Sequence, residues 1–109
     1  MASPSVESLE KLLGTPRDGA LLRFSLGMEY LKIENSEKAT EYLRDAVTRD
    51  PGYSAAWRAL GKALEAAAQP ADALEAYRSG IAAARKKGDK QAEKEMTVFA
   101  RRVVKRIAG

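Results

Sequence analysis

"WRALGKALEAAAQPADALEAY", residues 57–77, and "RFSLGMEYLKIENSEKATEYL", residues 23–43, share one skeleton. Leu60 and Gly61 restate Leu26 and Gly27 at a fixed offset along the chain. Ala73 follows Ala39, and Tyr77 follows Leu43, at that same offset. A fixed period decides the fold before any local reading does, because one supersecondary unit is being copied.

Working outward, the apolar spacing predicts two helices per unit. In the first unit, helix A runs from about Ala20 to Ile33 and helix B from about Glu37 to Arg49, with Asn35 and Ser36 as stop and new cap. "RDPGY" closes it, since Pro51 cannot continue a helix. In the second unit, helix A runs from about Ser54 to Ala68, and Pro70 suits the first position of helix B. That helix carries Ala73, Leu74, Tyr77 and Ile81. Gly88 reads as its stop and Asp89 as the next N-cap. A last helix is expected from about Lys90 to Ile107, with Met96, Phe99, Val103 and Ile107 on its apolar arc. Before the repeats, "SVESLEKLL", residues 5–13, is a short helix candidate capped by Ser5, with Val6, Leu9 and Leu13 on one face. "GTPRDG", residues 14–19, breaks it.

Composition agrees with helices. Ala leads, Leu, Glu, Lys and Arg follow, and β-branched residues are sparse. A hydrophobic share of 45% is enough for a core, and 31% charged residues keeps the surface wet. The chain has no Cys and no His, which removes disulfides, thiolate chemistry and the commonest general base and metal ligand. No phosphate-cradling glycine loop or metal-ligand cluster is present, and Glu37 and Glu41 have ordinary exposed helix spacing, so no enzyme activity, no cofactor and no metal are expected. The N-terminus lacks a basic start and apolar run, and no stretch approaches ~20 apolar residues. The expectation is a cytoplasmic all-α protein without a membrane segment.

Small residues fall where helices would have to approach closely: Gly27, Ala39, Ala46, Gly61, Ala73 and Gly80. A glycine within a helix costs ~1 kcal/mol against alanine, so its presence at the same place in both A helices points to close packing. Tyr30, Leu43, Trp57, Leu60 and Tyr77 would fill the space between. Neither helix pair can bury its apolar faces alone, so the pairs must stack.

These residues resemble the tetratricopeptide repeat family, whose pattern is W-x2-L-G-x2-Y, then A-x3-F, then P, at a period of 34. The second unit offers Trp57, Leu60, Gly61, Leu64 in place of Tyr, Ala73, Tyr77 in place of Phe, and Gly80, with Arg85 where Pro is usual. The first offers Leu26, Gly27, Tyr30, Ala39, Leu43, Ala46 and Pro51, with Arg23 where Trp would sit. The matches cover about residues 20–87, and the last helix resembles the family's terminal solvating helix. The whole resembles a small stand-alone repeat protein of the bacterial kind. The resemblance implies an α-solenoid: an N-terminal helix and linker (1–19), two repeats (20–53 and 54–87) and a C-terminal capping helix (88–109). It also implies a right-handed stack whose A helices line a concave groove. Such a groove commonly binds a peptide or a partner protein, as in scaffolds and adaptors, without catalysis.

At ~100° per residue, Leu22, Leu26, Tyr30 and Ile33 form one stripe of the first A helix, and Leu21, Phe24, Met28 and Leu31 form another almost opposite. The first holds motif residues and should pack on its own B helix; the second faces the groove if the family geometry holds. Full burial of such a side chain contributes ~1.5–3 kcal/mol, so something is expected to cover that second stripe. Three covers are open: the N-terminal helix folding back with Val6, Leu9 and Leu13, a second copy of the chain, or a partner's hydrophobic peptide. On the second A helix the matching positions are Ala55, Arg58, Lys62 and Glu65. An apolar end joined to a basic end would suit an amphipathic segment with an acidic part; Arg58 and Lys62 could equally be solvated surface charges. The candidate partner-binding set is Leu21, Phe24, Met28, Leu31, Arg58 and Lys62. The family's carboxylate clamp is not expected, since Phe24 and Met28 stand where its Lys and Asn would be.

Residues 85–109 hold nine Lys and Arg against three Asp and Glu, so the basic excess is C-terminal. Arg101, Arg102, Lys105 and Arg106 fall on an arc of ~140°. Contact with nucleic acid is one reading; a polar outer face on a terminal helix, with cations suited to its dipole, is the plainer one. No aromatic residue interleaves on that face, so nucleic acid is not expected as the partner. A protein or peptide is, with a homodimer as the alternative.

Overall fold

The computed structural model describes residues 4–109; the first residues of the N-terminal segment, 1–3, lie outside that range. Six helices follow one another: α1 (Pro4–Glu10), α2 (Ala20–Lys32), α3 (Ser36–Arg49), α4 (Ser54–Ala66), α5 (Pro70–Lys87) and α6 (Lys90–Ala108). Among the described residues there is no strand. α2 packs along α3, and α4 along α5; α4 also touches α2 and α3, and α6 touches α4 and α5. The result is a stack of antiparallel pairs, 41 × 30 × 18 Å. α1 packs on α2.

The close approaches expected at the glycines are there. A Cβ added to Gly27 would lie 2.5 Å from Leu43 Cγ. One added to Gly61 would enter the Tyr77 ring, and one added to Gly80 would meet Met96 Sδ and lie 2.8 Å from Trp57 Cβ. Ala39, Ala46 and Ala73 are fully buried for the same reason. Leu43, Leu60 and Tyr77 fill the space these small residues leave, all at 1% exposure or less, while Tyr30 is nearly as buried. Trp57 remains partly exposed: its Nε1 donates to the Pro51 carbonyl at 2.7 Å and so pins the inter-repeat turn.

Caps follow the sequence in part. Asn35 Oδ1 accepts from the Lys38 amide and Asp89 Oδ1 from the Ala92 amide, each at 3.1 Å. Pro70 opens α5. Ser5 does not cap α1; the helix starts at Pro4, so Ser5 lies inside its first turn, and the helix ends at Glu10 rather than at residue 13. α4 stops two residues before Ala68, because Ala67 and Ala68 make a turn that the sequence did not announce.

That turn occurs twice, once in each repeat and at equivalent positions. Glu34 and Ala68 both take φ 59°, the left-handed region that non-glycine residues avoid. The Asn35 amide donates to the Tyr30 carbonyl at 2.9 Å and the Gln69 amide to the Leu64 carbonyl at 2.8 Å, which satisfies carbonyls that a helix end leaves unpaired. α5 ends the same way at Gly88, φ 76°, with the Asp89 amide on the Ala84 carbonyl. Gly88 was legible as a stop; Ala68 was not, since alanine carries no such signal. Replacing Ala68 with Gly should relieve the strained φ. A gain in stability of roughly 0.5–1 kcal/mol is expected, read from the midpoint of urea unfolding.

Candidate functional site

The residues of α2 divide by direction. Leu22, Leu26, Gly27 and Tyr30 are buried. Ile33, assigned to the same stripe, is 39% exposed because it follows the last helical residue. On the other side Leu21 is 68% and Met28 36% exposed. Phe24 and Leu31 are only half-buried and pack on the core. The Phe24 ring sits 5.0 Å from that of Tyr53, the residue just ahead of α4. The second stripe is therefore two surfaces. Phe24 belongs to the joint between repeats and Leu31 packs on the core, while Leu21 and Met28 stand open beside them.

α1 does not cover them. Val6 is fully buried, and Leu9, Leu12 and Leu13 pack on the core, yet Leu21 and Met28 stay exposed. What holds this segment is a contact not anticipated from sequence. Glu10 Oε2 accepts from the Tyr30 and Tyr42 hydroxyls, each at 2.9 Å. The two rings stack 5.7 Å apart, tilted by 13°. Burial, then the bond to Glu10, pushes the Tyr42 phenol up to about 12, and the same two causes raise Tyr30. α1 is thus latched across α2 and α3, at the end of the stack, and leaves Leu21 and Met28 open.

On α4 the two basic candidates have different fates. Arg58 Nη1 pairs with Glu95 Oε1 of α6 at 2.9 Å. Lys62 Nζ lies 4.0 Å from the centre of the Phe99 ring, a cation–π contact, while its side chain remains exposed. Glu65 accepts from the Tyr77 hydroxyl and pairs with Arg106 at 3.2 Å. Arg58 and Glu65 therefore tie α4 to α6, as Phe24 joins α2 to the start of the second repeat at Tyr53. Lys62 follows Met28 by one repeat period and shares its place on the helix, so it continues the open face. Of the six candidates, Leu21, Met28 and Lys62 form that face; Phe24, Leu31 and Arg58 are structural neighbours beneath it.

Arg23, in the place of the family's Trp, is held by charge. Its Nε and Nη2 donate to the Asp18 carboxylate at 3.0 and 2.9 Å, and its Nη1 to Asp45 at 2.7 Å. The guanidinium also lies 5.9 Å from the Tyr42 ring centre. The hydrogen bonds from Arg23, then that from the Gly14 amide, hold Asp18 down at about 2, below its ordinary 3.8. A carboxylate whose value falls on folding stabilises the fold above its unfolded value, and that contribution is lost as pH falls through the folded one. Stability should therefore drop between about pH 4 and about pH 2, and Asp18→Asn should flatten that part of the curve, measured by denaturant midpoints across the range.

Arg101, Arg102, Lys105 and Arg106 do not make a single basic stripe. Arg102 stacks on Phe99 at 5.0 Å and Arg106 pairs with Glu65, so these two lean toward α4. Arg101 and Lys105 lie on the other side, beside α5. The capping helix is also less polar outside than expected: Val98, Val104 and Ile107 are 53%, 43% and 50% exposed. Among the described residues no group of three or more acidic side chains is placed to hold a metal ion, and no helix is long and apolar enough to cross a membrane.

Comparisons with known proteins agree with this architecture. Residues 8–104 match the family model described as the bacterial transcriptional activator domain, a related helical repeat. A TPR repeat-containing protein of Pseudomonas aeruginosa is 52% identical over 98 residues, which is 90% of this chain and 93% of that protein. A solution structure of a protein from Bordetella parapertussis superposes with a TM-score of 0.81 at 42% identity, covering 99% of this chain and 93% of the other. The solution structure of a tetratricopeptide repeat domain protein from Salinibacter ruber gives a TM-score of 0.73 at 30% identity, over 81% of this chain and 88% of that one.

Proposed function

Because the chain belongs to the tetratricopeptide repeat family, whose members are in general protein-interaction scaffolds, we propose that it binds a peptide or helix of a partner protein on the open face of α2 and α4. The observation that carries this is the exposure of Leu21 and Met28, at 68% and 36%, on a face that α1 leaves uncovered. Ala55 and Lys62 extend it on α4, so the surface is apolar at one end and cationic at the other. A partner segment with two or three apolar side chains followed by a carboxylate would match it in that order. In the family's geometry this face is the concave one.

Leu21 and Met28 lie outside the buried core, so charge there should leave the fold intact. Leu21→Glu and Met28→Glu are each expected to shift stability by no more than about 0.5 kcal/mol. Phe24→Glu, by contrast, places a charge in the joint against Tyr53 and should destabilise clearly. Thermal unfolding of the three variants separates surface from joint. Light scattering of the wild type completes the test: a monomer of 11.9 kDa leaves the face for another protein. A dimer dissolved by Met28→Glu would assign the face to self-association and overturn the proposal.

A further inference from the structure

We infer that the protein has a second docking surface, the groove between α5 and α6, and that it takes an acidic amphipathic helix of another protein. The groove is about 420 Å³, and its apolar lining comes from Leu74 and Ile81 of α5 and from Ala100 and Val104 of α6. Its cationic lining is Arg78, Arg101 and Lys105. It lies on the opposite side of α6 from Glu95, Phe99 and Arg106, which meet α4, so it shares nothing with the face of Leu21 and Met28.

Two features define the occupant. The first is shape: both walls of the groove are helices, α5 and α6. Among the described residues α4 is the one other helix in contact with both, and it meets α6 on the side of Glu95 and Arg106, away from the groove. Leu74 and Ile81 are two turns apart, ~10 Å along a helix, and Ala100 and Val104 lie one turn apart. A helix with apolar residues at i, i+4 and i+7 fits that spacing.

The second feature is charge. Most cations of α6 near α4 are engaged, Arg102 on Phe99 and Arg106 with Glu65. The side chains of Arg78, Arg101 and Lys105 make no ion pair, hydrogen bond or ring contact among the described residues. The acid of α6 on this flank, Glu93, is held by Arg85 at 2.9 Å. Three unpaired cations around an apolar floor select a helix whose flanks carry Glu or Asp, and they disfavour a basic one. A second copy of the chain is less suited, because three of its exposed large apolar residues, Val98, Val104 and Ile107, lie on the basic helix α6 itself.

The probe is a synthetic helical peptide with Leu at i, i+4 and i+7 and Glu on both flanks, with a counterpart carrying Lys in place of Glu. Binding to the full chain is read by fluorescence anisotropy, and its location by amide chemical shifts. The Glu peptide should bind, shift amides around Leu74, Ile81, Ala100 and Val104, and weaken as salt rises. Val104→Glu, and Arg101→Glu with Lys105→Glu, should each lower affinity at least about tenfold. These positions are exposed, so the variants should keep wild-type helicity, and Met28→Glu should leave binding unchanged. Equal binding of the Lys peptide, shifts centred on Leu21 and Met28, no binding at all, or self-association that Val104→Glu abolishes would each overturn the inference.

Discussion

Replacing Tyr77 with alanine should remove about 3–5 kcal/mol of stability, a large part of the ~5–15 kcal/mol that a domain of this kind has to lose. The ring is fully buried and joins three helices. It fills the hollow over Gly61 of α4, lies 5.6 Å from the Phe99 ring of α6, and sends its hydroxyl to Glu65. Alanine would lose the ring's burial and leave a cavity that α4, α5 and α6 could close only by moving together. Tyr77→Phe keeps the ring and loses one hydrogen bond, for which ~1 kcal/mol is expected. Urea unfolding followed by helicity measures both. A loss below ~1 kcal/mol for the alanine variant would show that the ring does not organise this end of the stack. Burial, then the Glu65 carboxylate, raises the Tyr77 phenol. Folding therefore opposes its ionisation, and stability should fall as pH rises above the phenol's ordinary value of ~10.

Gly61→Ala should destabilise although alanine is the better helix former by ~1 kcal/mol. The added methyl would overlap the Tyr77 ring, with Cδ1 and Cζ each 2.6 Å away and Cε1 closer. That ring is enclosed and cannot swing aside, so the overlap must be relieved by moving α4 from α5. A net loss of about 1–3 kcal/mol is expected. The sign is the informative part, since helix propensity alone gives the opposite one. Gly61→Ala combined with Tyr77→Leu should recover part of the loss, because a smaller side chain leaves room for the methyl. Strict additivity of the two changes would mean that they do not share a contact.

The fold was legible because its determinants repeat. Gly27 with Leu43, and Gly61 with Tyr77, are the same small-on-large contact written once in each repeat, and each copy supports the reading of the other. The caps at Asn35, Asp89 and Gly88 were legible because each uses a side chain, or the lack of one, specific to that task. The turns at Glu34 and Ala68 were not, since neither residue type signals the left-handed backbone that closes these helix ends.

The candidate site was legible only to the level of a helix face. Periodicity placed Leu21, Phe24, Met28 and Leu31 together. It could not separate the two that open to solvent from the two that are half-buried, because only ~40–80° of helix rotation divides them. The engagement of Arg58 with Glu95 and Lys62 with Phe99 depends on the register of α6 against α4. α5 is 18 residues long where α3 has 14, so that register departs from the period. Glu10 between two tyrosines was equally hidden: it joins residues 20 and 32 positions away, and no local pattern marks it.

Site-specific photo-crosslinking tests the proposed docking face most directly. A photoreactive phenylalanine analogue is placed at position 28, on the open face, and in separate chains at positions 44 and 79, exposed on α3 and α5. Each chain is irradiated in extract of the cells that make the protein. The expected result is a discrete adduct from position 28, to a protein other than this chain, absent from 44 and 79 and suppressed by Leu21→Glu in the same molecule. Adducts only to a second copy of the chain, or the same adducts from all three positions, would contradict a partner site built on Leu21, Met28 and Lys62.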